Sequence, residues 1–324
     1  MIGTKIGQNR DSELVMAFGE VGRLERQGQV YLLRHDERKR VLKPLQVGAM
    51  QAFLISKLLS TRNAWSGLPL LIHPTSGKPY LWHKGSRYMM TAMLEGRTAD
   101  YFEIKDLQLA IEGMRGFHEF GGAVLQEDPK RWRPLEINLV DLWQKRFQEM
   151  SICRSIAIRH QTRWAKQYLK LWHYFASQAL QALAELKHYG NIENKVICYH
   201  DWAFHNVIIN HEKAYLFDFD YMVVDYPVHD KCNLISRYLR LFNWSNRSLF
   251  TVLWNFDRFY PWRNHEIKLL RILLMLPYDY WMFGRQLFIE KQPWSEKYYL
   301  DQWNRKVMNY SEREQVLNLI INLE

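Results

Sequence analysis

"VICYHDWAFHNVIINHEKAYLFDFD", residues 196–220, decides how the chain is read. Two short apolar runs, "VICY" and "VIIN", flank the polar loop "HDWAFHN" at 200–206, and a third run, "AYLFDF", carries Asp218 and is followed by Asp220. Apolar runs of this length bounded by polar clusters read as strands, with "HEK" at 211–213 as the turn of a hairpin. Residues equidistant from a hairpin turn sit opposite one another. With the turn centred near Glu212, Asn206 and Asp218 reach the same open end, beside Asp201. The spacing therefore predicts two carboxylates and one amide oxygen in one place.

Hard oxygen donors of this kind suit Mg²⁺, which is held by one or two carboxylates plus substrate phosphates. The remaining aspartate can take or orient the proton of an attacking hydroxyl. An Asp, an Asn five residues on, and a second Asp at the end of the next strand is the arrangement used for kinase-type phosphoryl transfer. Taken alone, Asp201 and Asn206 also read as turn formers bonded to their own backbone. The strand lysine in "VLKPL" (41–45) and the acidic "VDYPVHD" (224–230) weigh toward the chemical reading.

With these residues in view, "HDWAFHNVII…FDFDYMVVDYPVHDKCNL" resembles the aminoglycoside and choline phosphotransferase superfamily, which shares the protein-kinase fold. Within it the chain looks most like the CotS group of spore-coat-associated kinase-like proteins. "VLKPL", "TAMLEGR" (91–97) and "LLMLPYDYWMFGRQLFIEKQPW" (273–294) stand in the order that group has. The resemblance implies an α+β, bilobal protein-kinase-like fold. A small antiparallel-sheet N-lobe would span 1–97 and a large, mostly helical C-lobe 98–324, with ATP between the lobes. It implies Asp201 as catalytic base, Asn206 and Asp218 as Mg²⁺ ligands, and Lys43 as a point charge on the α/β-phosphates. Met93, Leu94 and Glu95 would be the hinge that meets adenine. Asp225 and Asp230 would be structural. It further implies a γ-phosphate transfer to a hydroxyl acceptor, small molecule or protein, with other spore-coat proteins as partners. The place of synthesis would be the mother-cell cytoplasm, with the spore coat as destination.

Three departures from that pattern matter. No Asp or Glu lies between Glu37 and Glu95, so the helix after Lys43 lacks the glutamate that positions such a lysine. Gln51, Glu95 and Asp36 are the groups open to it. No tight glycine loop precedes "VYLL" (30–33); Gly19, Gly22 and Gly28 are widely spaced. Tyr199 stands where the superfamily often has His, and His200 directly precedes Asp201. His200 reads as an orienting group or a participant in the chemistry, and His205 as a loop residue or a ligand neighbour. These departures keep a second reading open, a catalytically weak or inactive assembly protein of the coat.

The rest of the chain agrees with a folded protein. It has 324 residues, 48% hydrophobic and 15% aromatic, enough for a sizeable core and against disorder. Its three cysteines have no paired spacing, so neither a disulfide framework nor a zinc site is indicated. The first residues have no signal-type apolar core, and no apolar run is long enough to span a bilayer. The pattern gives a hairpin over 27–45, a helix over 47–60, a strand pair at "PYLWH" and "RYMMTAML", and a helix over 104–120. Residues 141–188 and 234–320 read as helical. The net charge of +10 is spread along the chain without a nucleic-acid module, so nucleic acid is not an expected partner. Arg159, Arg163, Lys166 and Lys170 read as one helix face, either solvated or a dock for an acidic partner.

Overall fold

The computed structural model of the chain describes residues 13–35, 38–160, 162–189, 195–263 and 265–323. It divides into two compact units: residues 1–136 with 196–224, and residues 137–195 with 225–324. Both halves of the candidate site fall in the first unit, because the hairpin region returns to it after the chain has left.

In the first unit, β1 (Arg23–Gln27), β2 (Val30–His35) and β3 (Arg38–Leu45) form an antiparallel meander. Then come helix α1 (Ala49–Ser60) and strands β4 (Leu71–Ile72), β5 (Leu81–His83) and β6 (Ser86–Ala92). Among the described residues these strands make one sheet in the order β1-β2-β3-β6-β4, with β5 also pairing β6. Leu24, Leu33, Leu42 and Met90 carry its buried face, covered by Leu14, Val15 and Phe18. The sequence pattern missed β1, since only Leu24 of its five residues is buried and "RLERQ" shows no alternation. The charged turn expected at 34–39 falls partly on 36–37, outside the described residues.

Gly96 turns the chain out of this sheet at φ +121°, and a Cβ there would lie 2.4 Å from the Ile209 carbonyl oxygen. Only glycine fits both demands. Strand β7 (Arg97–Thr98) can then pair with β9, and α2 (Ile104–Glu127) follows. Asp106 in its first turn accepts from both Arg97 Nη atoms, at 2.5 and 2.8 Å, and from the Asp100 amide at 2.8 Å. Burial alone would raise the Asp106 carboxyl, but these bonds and the Arg97 charge outweigh it and hold it below the usual value. Gly121 lets α2 approach β8 (Val196–Cys198): a Cβ would meet the Ile197 carbonyl oxygen at 2.8 Å.

The hairpin consists of β9 (Val207–Asn210) and β10 (Lys213–Leu216), with Asn210 opposite Lys213 and Val207 opposite Leu216. Its two-residue turn is His211–Glu212, both with positive φ (44° and 57°), the form that matches strand twist. The centre lies half a residue before the expected Glu212, so Asn206 and Asp218 are offset at the open end rather than directly opposed.

The second unit is helical. Short α3 (Pro129–Trp132) closes the first unit's segment; α4 (Leu139–His160) and α5 (Arg163–His188) then pack on each other. After them come α6 (Pro227–Leu241), α7 (Asn246–Phe259), α8 (Glu266–Met275), α9 (Tyr278–Gly284), α10 (Glu296–Lys306) and α11 (Tyr310–Ile321). The aromatic content has its use here. Tyr168 stacks on Tyr280 at 4.3 Å, and Phe175 on Tyr280 at 4.5 Å, inside a cluster that includes Trp164, Phe283 and Trp303. The basic face over 159–170 is not one face. The helix breaks after His160, and Thr162 caps α5, accepting from the Ala165 amide at 3.2 Å. Arg163, Lys166 and Lys170 are exposed on α5, and Arg163 pairs with Glu296 at 3.2 Å. Lys231 on α6 is fully buried, bonded to Glu266 at 2.8 Å with its ammonium 4.0 Å from the Tyr260 ring centre. No described helix is long and apolar enough to cross a membrane.

Candidate active site

Lys43 stands on β3 opposite Met89 of β6, one residue from the fully buried Leu42. Alternation turns it away from the face that Leu42 buries. Its Nζ lies 2.5 Å from Asp218 Oδ1 and 2.8 Å from Asp220 Oδ2. The lysine thus has acidic partners, both contributed by the chain just beyond β10 rather than by α1. Gln51 does not serve Lys43. Its Nε2 donates to the Asp220 carbonyl at 2.7 Å and, at 3.5 Å, to that of Met222. A neutral amide occupies the helix position of the expected glutamate, and it fastens the backbone of the segment that carries the two aspartates. Of the other groups weighed for Lys43, Glu95 is exposed and Asp36 lies outside the described residues.

Asp201 and Asn206 form the second pair. Asn206 is 5% exposed, and its Nδ2 donates to Asp201 Oδ2 at 2.7 Å and to the Asp201 carbonyl at 3.4 Å. With the amide nitrogen so engaged, the Asn206 side-chain oxygen is the atom left for a cation. His200 and Asp218 both adopt left-handed backbone, φ 64° and 66°. Such residues outside glycine are uncommon and gather at functional sites.

The loop is braced from below by aromatic groups. Tyr199 is fully buried and its hydroxyl donates to the Phe217 carbonyl, tying the residue after β8 to the one before Asp218. Its ring meets Trp202 at 5.5 Å and Phe219 at 5.3 Å. Tyr101 donates its hydroxyl to the Trp202 carbonyl at 3.2 Å. A tyrosine in place of the expected histidine thus acts as a brace. His205 is exposed, edge-on to Phe204 at 5.3 Å, as a loop residue is.

Tyr221 links the two pairs. Partial desolvation of its hydroxyl and the charges of Asp201, Asp218 and Asp220 raise its pKa above the ordinary phenol value, with Lys43 opposing. The hinge candidates follow β6 directly. Met93 is exposed and its amide donates to the Lys39 carbonyl at 3.0 Å; Leu94 is half-buried and Glu95 exposed. In the helical unit, Asp225 and Asp230 are completely buried. Asp225 accepts from the Tyr226 amide at 2.8 Å and lies 2.6 Å from His229 Nδ1.

Asp220, Gln51 in its observed role, and Tyr221 were not picked out by the sequence pattern. Asp220 stands in the quoted "FDFD", and a search for any carboxylate near Lys43 in space would have reached it. The donor set of Asp218, Asp220, Asp201 and the Asn206 oxygen is all hard oxygen, which fits Mg²⁺. The half-buried Lys43 ammonium fits an anionic phosphate.

No known family profile matches the chain, and no curated protein matches it by sequence. Solved structures do. An aminoglycoside phosphotransferase from Alicyclobacillus acidocaldarius superposes with a TM-score of 0.74 at 15% identity, covering 98% of this chain and 95% of that one. A spectinomycin phosphotransferase solved with ADP and spectinomycin gives 0.66 at 12% identity, with 92% of each chain covered. A choline kinase from Streptococcus pneumoniae gives 0.59 at 17% identity, covering 95% and 98%. The chain therefore has the protein-kinase-like α+β fold of these phosphotransferases, with a small antiparallel sheet and a larger helical part.

Proposed function

We propose that the protein is an ATP- and Mg²⁺-dependent phosphotransferase that moves a γ-phosphate to a hydroxyl acceptor. One observation carries the reading: Lys43 is paired to both Asp218 and Asp220, and Asp201 to Asn206, all within one compact unit. In this reading residues 1–97 grip the nucleotide and residues 98–324 carry the catalytic loop and the acceptor side. Asn206 and Asp218 would hold the metal, which would neutralise charge along the phosphates. Asp201 holds the acceptor hydroxyl and takes its proton, its second oxygen fixed by Asn206. With nucleotide bound, Lys43 would pair with a phosphate while Asp220 would remain its anchor. Since the Met93 amide is engaged by Lys39, the backbone groups of Leu94 and Glu95 are those that read adenine.

The test is a thermal-shift and transfer assay with ATP and Mg²⁺. Ligand at a hundred times its Kd adds roughly 2.7 kcal/mol to stability. Asp201→Asn should keep that shift and lose transfer; Asp218→Ala should lose both. Wild-type transfer by both variants would overturn the assignment. A second reading, an assembly protein of the spore coat without turnover, is favoured by the β1–β2 connection. It is a two-residue turn at Gly28–Gln29 rather than a phosphate-clamping glycine loop. Absence of any shift at millimolar ATP would select that reading. The spore-coat setting itself rests on the sequence resemblance to the CotS group.

A further inference from the structure

The helical unit holds an arginine without a carboxylate. Arg146 on α4 lies with its guanidinium 4.5 Å from the ring centre of Trp143 and 4.5 Å from that of Trp281, with Tyr278 at 5.2 Å. Two indoles and a phenol cover the cation. Its planar edge, which carries the N–H fork, has no hydrogen-bond acceptor among the described residues. The nearby carboxylates are engaged elsewhere. Glu149 accepts from Trp281 Nε1 at 2.7 Å and from Arg285 Nη1 at 2.8 Å. Asp225 is taken by the Tyr226 amide and His229. The Nε1–H of Trp143, a residue 3% exposed, is also buried with no partner among the described residues. The surroundings are basic as well. Arg146, Arg237 and Arg240 all act on Tyr278, while its neighbour Asp279 is paired to Arg240. Burial pushes the Arg146 guanidinium down to about 10, with Arg285 adding to the effect and Tyr278, Glu149 and Asp225 opposing it.

A guanidinium whose faces are stacked and whose fork is unengaged is pre-organised for a planar or tetrahedral oxyanion. We propose that the Trp143–Arg146–Trp281 stack binds the phosphate or carboxylate group of an anionic acceptor; as an acceptor site this rests on the phosphotransferase reading above. It sets this chain apart from an enzyme for a polycationic acceptor, which would need carboxylates where this cage presents a cation. The aromatic slabs exclude water from the cation's faces, so each bond to the fork is worth more than on an open surface.

The test is isothermal titration of the full chain with inorganic phosphate and, separately, malonate, at low ionic strength. The wild type should bind at least one of them. Arg146→Gln should weaken that binding roughly tenfold or more, the worth of a lost charge-assisted hydrogen bond. Arg146→Lys keeps the cation but not the fork and should also weaken it. Equal binding by wild type and both Arg146 variants, or no binding of either anion by wild type, would overturn the site. The ATP-and-Mg²⁺ thermal shift, measured on the same samples, separates the two readings. Arg146-dependent anion binding without a nucleotide shift leaves the anion site and removes the phosphotransferase reading. A nucleotide shift without Arg146-dependent binding does the reverse.

Discussion

Asp220→Asn is the substitution that most directly probes the phosphate-gripping half of the site. The Lys43 side chain is 20% exposed and that of Asp220 11%, with 2.8 Å between charges. Fully exposed pairs are worth about 0–1 kcal/mol, and breaking a buried pair costs about 3–5 kcal/mol. This pair lies between, and Asp218 remains as a second counter-charge, so the Lys43–Asp220 coupling should be about 1–2 kcal/mol. The difference matters most with nucleotide bound, because a metal on Asp218 leaves Asp220 as the lysine's anchor. The assay is a double-mutant cycle on ATP affinity with Mg²⁺, using wild type, Lys43→Met, Asp220→Asn and the double variant. The single Asp220→Asn change should weaken ATP roughly 5- to 30-fold, following about tenfold per 1.4 kcal/mol. The double variant should be little worse than Lys43→Met alone. Additive losses, with coupling under about 0.3 kcal/mol, would show that Asp220 does not act through Lys43 and would refute the reasoning.

Other outcomes follow from the same structure. All three cysteines are buried, and burial foremost pushes Cys153 and Cys232 each up to about 12. A thiol reagent at pH 8 should therefore label none of them in the native protein and all three after denaturation; fast native labelling would contradict the packing. Gly96→Ala should cost about 2–4 kcal/mol from backbone strain and the clash at Ile209, read as a shift in the urea midpoint. A loss under 1 kcal/mol would mean that β7 does not need that close approach. Asp106 has a folded pKa below its unfolded one, so its contribution is present above the unfolded value and lost as pH falls through the folded one. Asp106→Asn should lower stability at pH 7 by about 1–3 kcal/mol and flatten the acid limb below pH 4, checked by urea midpoints across that range.

The polar pairing within the loop was open to the sequence because it is local. Asp201 and Asn206 sit within one short loop, and the hairpin carries Asp218 back toward them in a few residues. The kinase-like fold came from the resemblance these motifs carry; the local pattern alone gave a strand-bearing half followed by a helical one. The partner of Lys43 was not legible from spacing. Asp220 is 177 residues away in the chain, and only the folded path brings the two together. A glutamate on α1 is what the family pattern would place there, whereas the physical need is only for negative charge near the ammonium. Strand β1 escaped because an edge strand with one buried residue has no period. The break between α4 and α5 escaped because both helices keep their apolar positions in a rhythm that one helix would also give.

Gln51 contacts the chain at 220 and 222 through carbonyl oxygens, not side chains. The grip therefore registers where that segment runs and is blind to which residues it carries. Side chains there can be exchanged without loosening α1, whereas any displacement of the segment pulls on the helix. Should a ligand at Asp218 shift the backbone, α1 is the lever through which the sheet would feel it.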